Sequence, residues 1–288
     1  MPDLSLLDRA ILLTHVLAGV TALAMAPLAL LARKGGTAHR RWGTLYFWAM
    51  FAIFASSLAV MTYRPNAFLL CIAVLAFYSA FSGYRVLHRK RPQRGRGAAW
   101  LDWAGASLAL GSGAGGAAWG VGSLVGWLPL SVGTAFSGLG IAFGALLGKQ
   151  ALEDLRGFRR PAEDRNWWWY VHMDRMLTSS IAALTAFLVQ NVGRHLAPEV
   201  GWLVWVLPGL LGGPAIGYWV SSYRRRFAQA QQRRSGRASA AGSAGPGESD
   251  LNAGGEEEQS MHTSTASRAP SMPAADRGRG ALSRLRGW

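Results

Sequence analysis

Apolar residues along the chain come in runs of about 20, separated by short segments that hold most of the basic residues. A helix of that length crosses the hydrocarbon core of a bilayer and satisfies its own backbone amides there. Seven runs qualify, and they predict an all-α protein built as a polytopic transmembrane helix bundle. The predicted spans are residues 10–32, 43–62, 67–87, 100–121, 128–147, 172–191 and 202–222.

The fourth predicted span is the weakest of the seven. Its stretch GSGAGGAAWGVG is so rich in glycine that its helix propensity is poor, so it needs tight packing against its neighbours. The fifth span carries Gly140, Gly144 and Gly148 at four-residue spacing, a face that lets another backbone approach closely. We therefore expect close helix contacts to hold the fourth span in place.

Basic residues are distributed unequally between the two sides that seven crossings define. Within residues 1–224, seventeen Lys and Arg residues lie on the side that the chain reaches after the first, third, fifth and seventh spans, and only Arg9, Arg64 and Arg194 lie on the other side. Because Lys and Arg are retained in the cytoplasm, the N-terminus is predicted outside and the C-terminus inside. This topology predicts a multi-pass protein of the cell membrane.

The composition changes after residue 224, which separates a predicted membrane domain, 1–224, from a tail, 225–288. The tail is rich in Arg, Ser, Gly and Ala and cannot bury enough apolar surface to fold, so we predict disorder there. The chain has 30 Lys and Arg against 15 Asp and Glu. With these charges beside apolar spans, the lipid bilayer is the expected partner. The basic loops and tail fit anionic lipid headgroups better than nucleic acid.

Histidines are the main chemical candidates, because polar side chains at membrane depth are costly and each one in a span is a functional candidate. The predicted topology places His15 and His195 on the outer side and His39, His88 and His172 on the inner side. We predict that His15, His39 and His172 bind a cofactor, with His195 and His88 as weaker candidates. For each, packing between helices or solvation at the headgroups is the structural alternative.

Two levels of histidine suit b-type haem, which paired imidazoles hold between membrane helices. Against this, His39 and His195 fall at or beyond the ends of predicted spans. The chain has no C-x-x-C-H motif for covalent haem, and a zinc site lacks Cys or carboxylate support near these histidines. The leading hypothesis is a His-ligated haem- or metal-binding protein for electron transfer. The alternative is a transporter, channel or membrane sensor without catalytic activity.

Other polar groups point to structural roles. No Walker A loop, ordered Ser-His-Asp set or His-Glu-x-x-His helix occurs. Asp174 at the entrance of the sixth span is interpreted as half of an ion pair with Arg175 or a loop arginine. The segment 148–170 is interpreted as a cytoplasmic amphipathic connector, with acids interleaved among arginines. These acids are Glu153, Asp154, Glu163 and Asp164.

Two segments carry recognisable motifs: HVLAGVTALAMAPLALLARKGGTAHRRWGTLYFWAM at 15–50 and HMDRMLTSSIAALTAFLVQN at 172–191. They resemble a family of bacterial predicted membrane proteins that is grouped as a domain of unknown function. The resemblance implies a bacterial inner-membrane protein and a role for the three histidines, but it supplies no reaction. The matching positions are His15, Gly19, Pro27, His39, Arg40, Gly43, Tyr46, His172, Met176 and Asn191.

Overall fold

The computed structural model of the chain describes residues 6–63, 65–90, 97–127, 134–160, 162 and 164–243. All regular secondary structure in these residues is helical, which confirms the all-α prediction. The chain divides into two units, 1–226 and 227–288. The helices are α1 (Leu6–Leu31), α2 (Thr37–Met61), α3 (Ala67–Arg85), α4 (Trp100–Leu124), α5 (Thr134–Arg159), α6 (Trp167–Asn191), the single turn α7 (Pro198–Gly201) and α8 (Leu203–Ser243).

The long helices correspond to the seven predicted spans. Within the described residues, five of them are long and apolar enough to cross a membrane, namely α1, α2, α3, α5 and α8. Helix α4 is rich in glycine, and the first half of α6 carries His172, Asp174 and Arg175. The protein is therefore a multi-pass helical membrane protein in which α4 and α6, among the long helices, lack an apolar stretch of that length.

Several helices extend beyond the apolar runs. Helix α2 begins at Thr37, before the predicted span, so His39 lies within its first turn. Helix α5 continues to Arg159 and α6 begins at Trp167, so the predicted connector 148–170 is wrong and is largely helix. Hydropathy marks where a helix leaves the hydrocarbon, whereas its backbone hydrogen bonds continue through polar residues of good helix propensity.

Helix α8 also extends past the predicted boundary at residue 224. It continues to Ser243 through a segment rich in Ala, Gln and Arg, which favour helix, with a few Ser and Gly among them. The remaining residues of the predicted disordered tail, 244–288, lie outside the described residues, so disorder there stays a prediction.

Helices pack mainly as pairs, with α1 against α2, α3 against α6 and α4 against α5. The turn between α1 and α2 contains Gly35 at a φ of 81°, a left-handed conformation that glycine adopts at little cost. The outer faces of α1 and α8 remain strongly apolar and exposed, for example at Leu13, Leu210 and Leu211. Apolar surfaces of this extent are unusual on soluble monomers, and they suit contact with lipid.

Glycines bring the backbones of α4 and α5 into contact, as the sequence predicts. A Cβ atom on Gly113 would lie 2.7 Å from the carbonyl oxygen of Gly144, and one on Gly144 would lie 2.5 Å from the amide nitrogen of Ala117. Gly140 is similarly close to a tryptophan side chain, whereas a Cβ on Gly148 would meet nothing within 4 Å. The backbone of Gly148 nevertheless lies against α4, because a Cβ on Gly113 would be 2.7 Å from its amide nitrogen. The expected close contact along this glycine face is therefore confirmed.

We expect Gly144→Ala to destabilise the protein, because the added methyl overlaps backbone atoms of α4 that cannot move away cheaply. Overpacking of this kind costs about 1–3 kcal/mol. Thermal unfolding in detergent would measure the loss. Gly138→Ala is the matched control, because a Cβ there meets nothing within 4 Å. The control should be neutral or stabilising by up to about 1 kcal/mol, and equal effects of the two changes would contradict the packing argument.

Candidate functional site

Two of the predicted cofactor ligands, His39 and His172, lie side by side. Their ring centroids are 6.4 Å apart and the rings meet edge to face at 80°. Both side chains are partly buried. The fold therefore places His39, in the first turn of α2, next to His172, near the start of α6, although the two residues are far apart in the sequence.

Each ring of this pair is held through its Nδ1 atom. Nδ1 of His39 donates a hydrogen bond to the carbonyl oxygen of Ala29 at 2.8 Å, and Nδ1 of His172 donates to that of Gly83, also at 2.8 Å. A carbonyl only accepts, so each Nδ1 carries the proton and each neutral ring keeps a lone pair on Nε2. Among the described residues, neither Nε2 has a hydrogen-bond partner. This is the orientation that metal-ligating histidines commonly have.

The two carbonyls explain why the pair forms at this place. Ala29 lies in the last turn of α1 and Gly83 in the last turn of α3, where carbonyls have no partner within their own helix. The starts of α2 and α6 bring His39 and His172 to these carbonyls. Capping of two helix ends is thus the structural role of the pair, and it leaves both Nε2 atoms available.

The other histidines lie apart from this pair. Nδ1 of His15 is hydrogen-bonded to Oγ of Ser56 at 3.0 Å. Its position on α1 is about 20 Å along the helix axis from Ala29, at the helical rise of about 1.5 Å per residue. His195 follows the far end of α6 in a 3-10 turn, and His88 is exposed after α3. The structure therefore brings together only the inner candidates His39 and His172.

The histidine pair is not part of a larger group of metal-ligating side chains in the described part of the chain. Within the described residues, no group of three or more His, Cys, Asp or Glu side chains could hold a metal ion. Met176 lies one helical turn after His172, and a Cβ on Gly83 would lie 3.2 Å from its Sδ atom. Any metal at the pair would thus receive two imidazoles, with a thioether one turn deeper in the bundle.

A second polar cluster links α3, α5 and α6, and the sequence analysis missed it. The Tyr78 hydroxyl donates to Asp154 at 2.6 Å, and Nη2 of Arg175 lies 3.1 Å from Glu153 and 3.7 Å from Asp154. The expected pair of Asp174 with Arg175 is not formed, because Arg175 reaches α5 instead. The sequence contains one indication of this cluster. Gln150 and Asp154 are four residues apart, so they lie on the same face of α5, and that face is buried.

Asp102 has a larger role than the helix start that its position indicates. Its carboxylate accepts two hydrogen bonds of 2.9 Å from Arg85, and it lies 3.8 Å from Nε of Arg89. Its side chain is 1% exposed. Burial lowers the pKa of Arg89, but the nearby carboxylates of Asp102 and Asp154 raise it, so the guanidinium stays charged.

Two cavities adjoin these polar groups. The larger, of about 670 Å³, is lined by charged residues that include Arg89, Asp154 and Arg175. The smaller, of about 270 Å³, is mainly apolar and lies between α3, α5, α6 and α8. Neither is lined by His39 or His172, so the polar cavity and the histidine pair are separate candidate sites.

We expect Asp102→Ala to destabilise the protein strongly, because it leaves the buried Arg89 and the partly buried Arg85 without their carboxylate. Removal of one partner from a buried ion pair costs about 3–5 kcal/mol, and the lower end applies here because Arg85 is partly solvated. Unfolding in detergent measures this cost. Asp164→Ala removes an exposed carboxylate whose hydrogen bond is to the backbone N–H of Asn166, so it should cost no more than about 1 kcal/mol. A small effect of Asp102→Ala would show that the two arginines are well solvated.

Comparison of the chain with known protein families, curated proteins and solved structures gives no match. The resemblance to the family of unknown function therefore stays a prediction.

Proposed function

We propose that the protein is a membrane redox protein in which His39 and His172 bind one transition-metal centre. The observation that supports it most directly is the pair of rings at 6.4 Å, each oriented by a carbonyl at its Nδ1 atom. By the predicted topology this centre lies near the cytoplasmic face. An electron carrier on that side of the membrane would reach it without crossing the bilayer.

The spacing of the rings supports a shared ligand. Two Nε2 atoms that bind one metal ion at about 2.0–2.1 Å place their ring centres about 4.5–6.4 Å apart, with the largest distance for imidazoles opposite each other. The observed 6.4 Å matches that largest distance. The fixed Nδ1 protons keep both lone pairs on Nε2, the tautomer that ligation there requires. The spacing and the tautomer thus support a centre with two opposed imidazole ligands.

The number of ligands favours some metals over others. A structural zinc site takes four ligands, more than the described residues offer here. Imidazoles suit copper and iron, and the thioether of Met176 one turn away favours copper. A b-type haem also takes two imidazoles, but neither cavity adjoins the pair. We therefore favour a copper ion at the histidine pair, and a b-type haem bound by the same two histidines is the alternative.

Metal analysis of the protein purified in detergent without a histidine tag tests the proposal. We expect about one copper ion or haem iron per chain in the natural protein, because the pair supplies two ligands to one centre. His172→Gln keeps a donor for the Gly83 carbonyl but removes the imidazole, so metal affinity should fall by at least about tenfold. An absorption spectrum distinguishes the forms, since only haem gives a Soret band.

The matched controls are His15→Gln and His88→Gln, which remove histidines that lie apart from the pair. Both controls should keep the metal. A well-folded natural protein that binds neither copper nor haem would overturn the proposal and leave helix capping as the role of the pair.

The larger cavity favours a second candidate function, which is transport of a small polar solute. A transporter needs a polar cavity at its binding site, and this cavity has about 670 Å³ and charged walls. Liposomes that contain the protein would then show solute flux, and Asp154→Asn should alter that flux without removing metal.

We further propose that the N-terminus lies outside and the C-terminus in the cytoplasm, with the basic loops against anionic lipid headgroups. The support is the excess of Lys and Arg on the side of the connections after α1, α3, α5 and α8. This orientation also places the histidine pair and the charged cavity at the cytoplasmic end of the bundle.

Cysteine labelling tests this orientation, because the chain has a single cysteine, Cys71, and it is buried. In a Cys71→Ala background we expect Ala197→Cys to react with an impermeant maleimide added to intact cells. Ser235→Cys should react only after the membrane is opened, because that reagent does not cross a bilayer. Both positions are exposed. The reverse pattern would show the opposite orientation.

A further inference from the structure

The charged cavity and the apolar cavity are neighbours that share part of their walls. Asp174 of α6 and Gly217 of α8 line both of them. On one side of this junction lie charged side chains, and on the other lie Ile72, Leu75 and Phe143 with other apolar residues. A single ligand that fills both spaces must therefore have a polar end and an apolar end.

The polar end of this space offers hydrogen-bond donors without acceptors. Arg175 and Arg89 both line the larger cavity, and their side chains are only 2% and 8% exposed. Nη1 of Arg175 and Nε of Arg89 are buried and have no hydrogen-bond partner. Buried guanidinium N–H groups of this kind are costly unless they meet an acceptor, and phosphate and carboxylate oxygens match their geometry.

The acids in the cavity wall already have partners. Glu153 pairs with Lys149 at 3.0 Å and with Nη2 of Arg175 at 3.1 Å. Asp154 accepts from the Tyr78 hydroxyl at 2.6 Å and lies 3.7 Å from the same Nη2, so Nη1 of Arg175 stays without an acceptor. Asp164 accepts the backbone N–H of Asn166. The remaining acid, Asp174, lines both cavities and so lies at their junction. The unsatisfied groups of the wall are therefore donors, which favour an anion.

The apolar end is a groove left by missing side chains. Gly209, Gly213 and Gly217 repeat at four-residue spacing along α8 and line the smaller cavity. A Cβ atom at any of these glycines would meet nothing within 4 Å. Trp205 closes the groove one turn before Gly209. This space suits a flexible hydrocarbon chain, which gains affinity by removing methylene groups from water.

We propose that the joined cavities bind a lipid with one acyl chain and an anionic phosphate or carboxylate head. The head lies against Arg89 and Arg175, and the chain lies in the glycine groove of α8. This site shares no residue with the histidine pair, so it stands or falls independently of the metal.

The first experiment compares ligands on the purified full chain by native mass spectrometry and thermal shift. Lysophosphatidic acid has both an acyl chain and an anionic phosphate head. The monoacylglycerol with the same chain lacks the phosphate, and glycerol phosphate lacks the chain. We expect lysophosphatidic acid to bind at least about tenfold more tightly than either. Each methylene that enters the groove should tighten binding by up to about fourfold. Equal binding of glycerol phosphate would overturn the lipid assignment and identify a site for soluble anions.

The second experiment compares variants of the two ends. Gly213→Leu fills the groove from an exposed position, so it should weaken lysophosphatidic acid at least about tenfold and leave glycerol phosphate unchanged. Gly115→Leu on α4, where a Cβ also meets nothing within 4 Å, is the control and should leave both unchanged. Unaltered lipid binding in Gly213→Leu would overturn the placement of the chain.

Asp174→Asn tests whether the head group of the ligand is anionic. It removes a negative charge at the junction of the cavities without changing the shape of the side chain. Binding of lysophosphatidic acid should tighten by several fold, because a like charge near the head is lost. Weaker binding, or tighter binding of an alkylammonium of the same chain length to the natural protein, would show that the site takes a cationic head and would overturn the proposal.

Discussion

The close approach of α3 and α6 at Gly83 is the contact on which both candidate sites depend. A Cβ atom on Gly83 would lie 2.9 Å from Cβ of Arg175, so no other residue fits there without a shift of the helices. The carbonyl of the same glycine receives Nδ1 of His172. One small residue thus sets the position of the imidazole and of the buried guanidinium.

Helix α6 carries these groups along one stripe. His172, Arg175, Met176 and Ser179 follow one another at the three- and four-residue spacing of a single helix face. Each contacts α3 or a helix beside it, and the Ser179 hydroxyl donates to the carbonyl of Ala76 at 2.8 Å. The Tyr46 hydroxyl of α2 donates to Ser179 at 2.8 Å, which ties a third helix to the same stripe. Polar side chains of α6 thus link it to α2, α3 and α5.

Polar groups of this protein are concentrated where helices end. Unpaired carbonyls at the ends of α1 and α3 need donors, and histidine side chains of α2 and α6 supply them. At the same end, Arg85 and Arg89 meet Asp102 at the start of α4. In a bundle with an apolar exterior, these contacts provide directional links that hydrophobic burial between lipid-facing helices does not.

Much of the architecture follows from local patterns along the chain. Runs of apolar residues predict the seven long helices, and the spacing of Gly140 and Gly144 predicts the close contact with α4, because both features depend on neighbouring residues of one helix. Helix ends were predicted less well: α5 and α6 continue into polar residues, since hydropathy records the extent of the hydrocarbon and not of the helix.

The sites depend on residues that are distant in sequence, and no local pattern pairs them. The sequence predicts His39 and His172 as candidates on one membrane side, but equally places His88 there, and only the packing of α6 on α3 separates them. Arg175 could pair with Asp174 beside it, yet it reaches Glu153 and Asp154 because α5 and α6 both pack against α3. Helix formation is a local property, whereas the choice of partners across a bundle is set by how the helices pack.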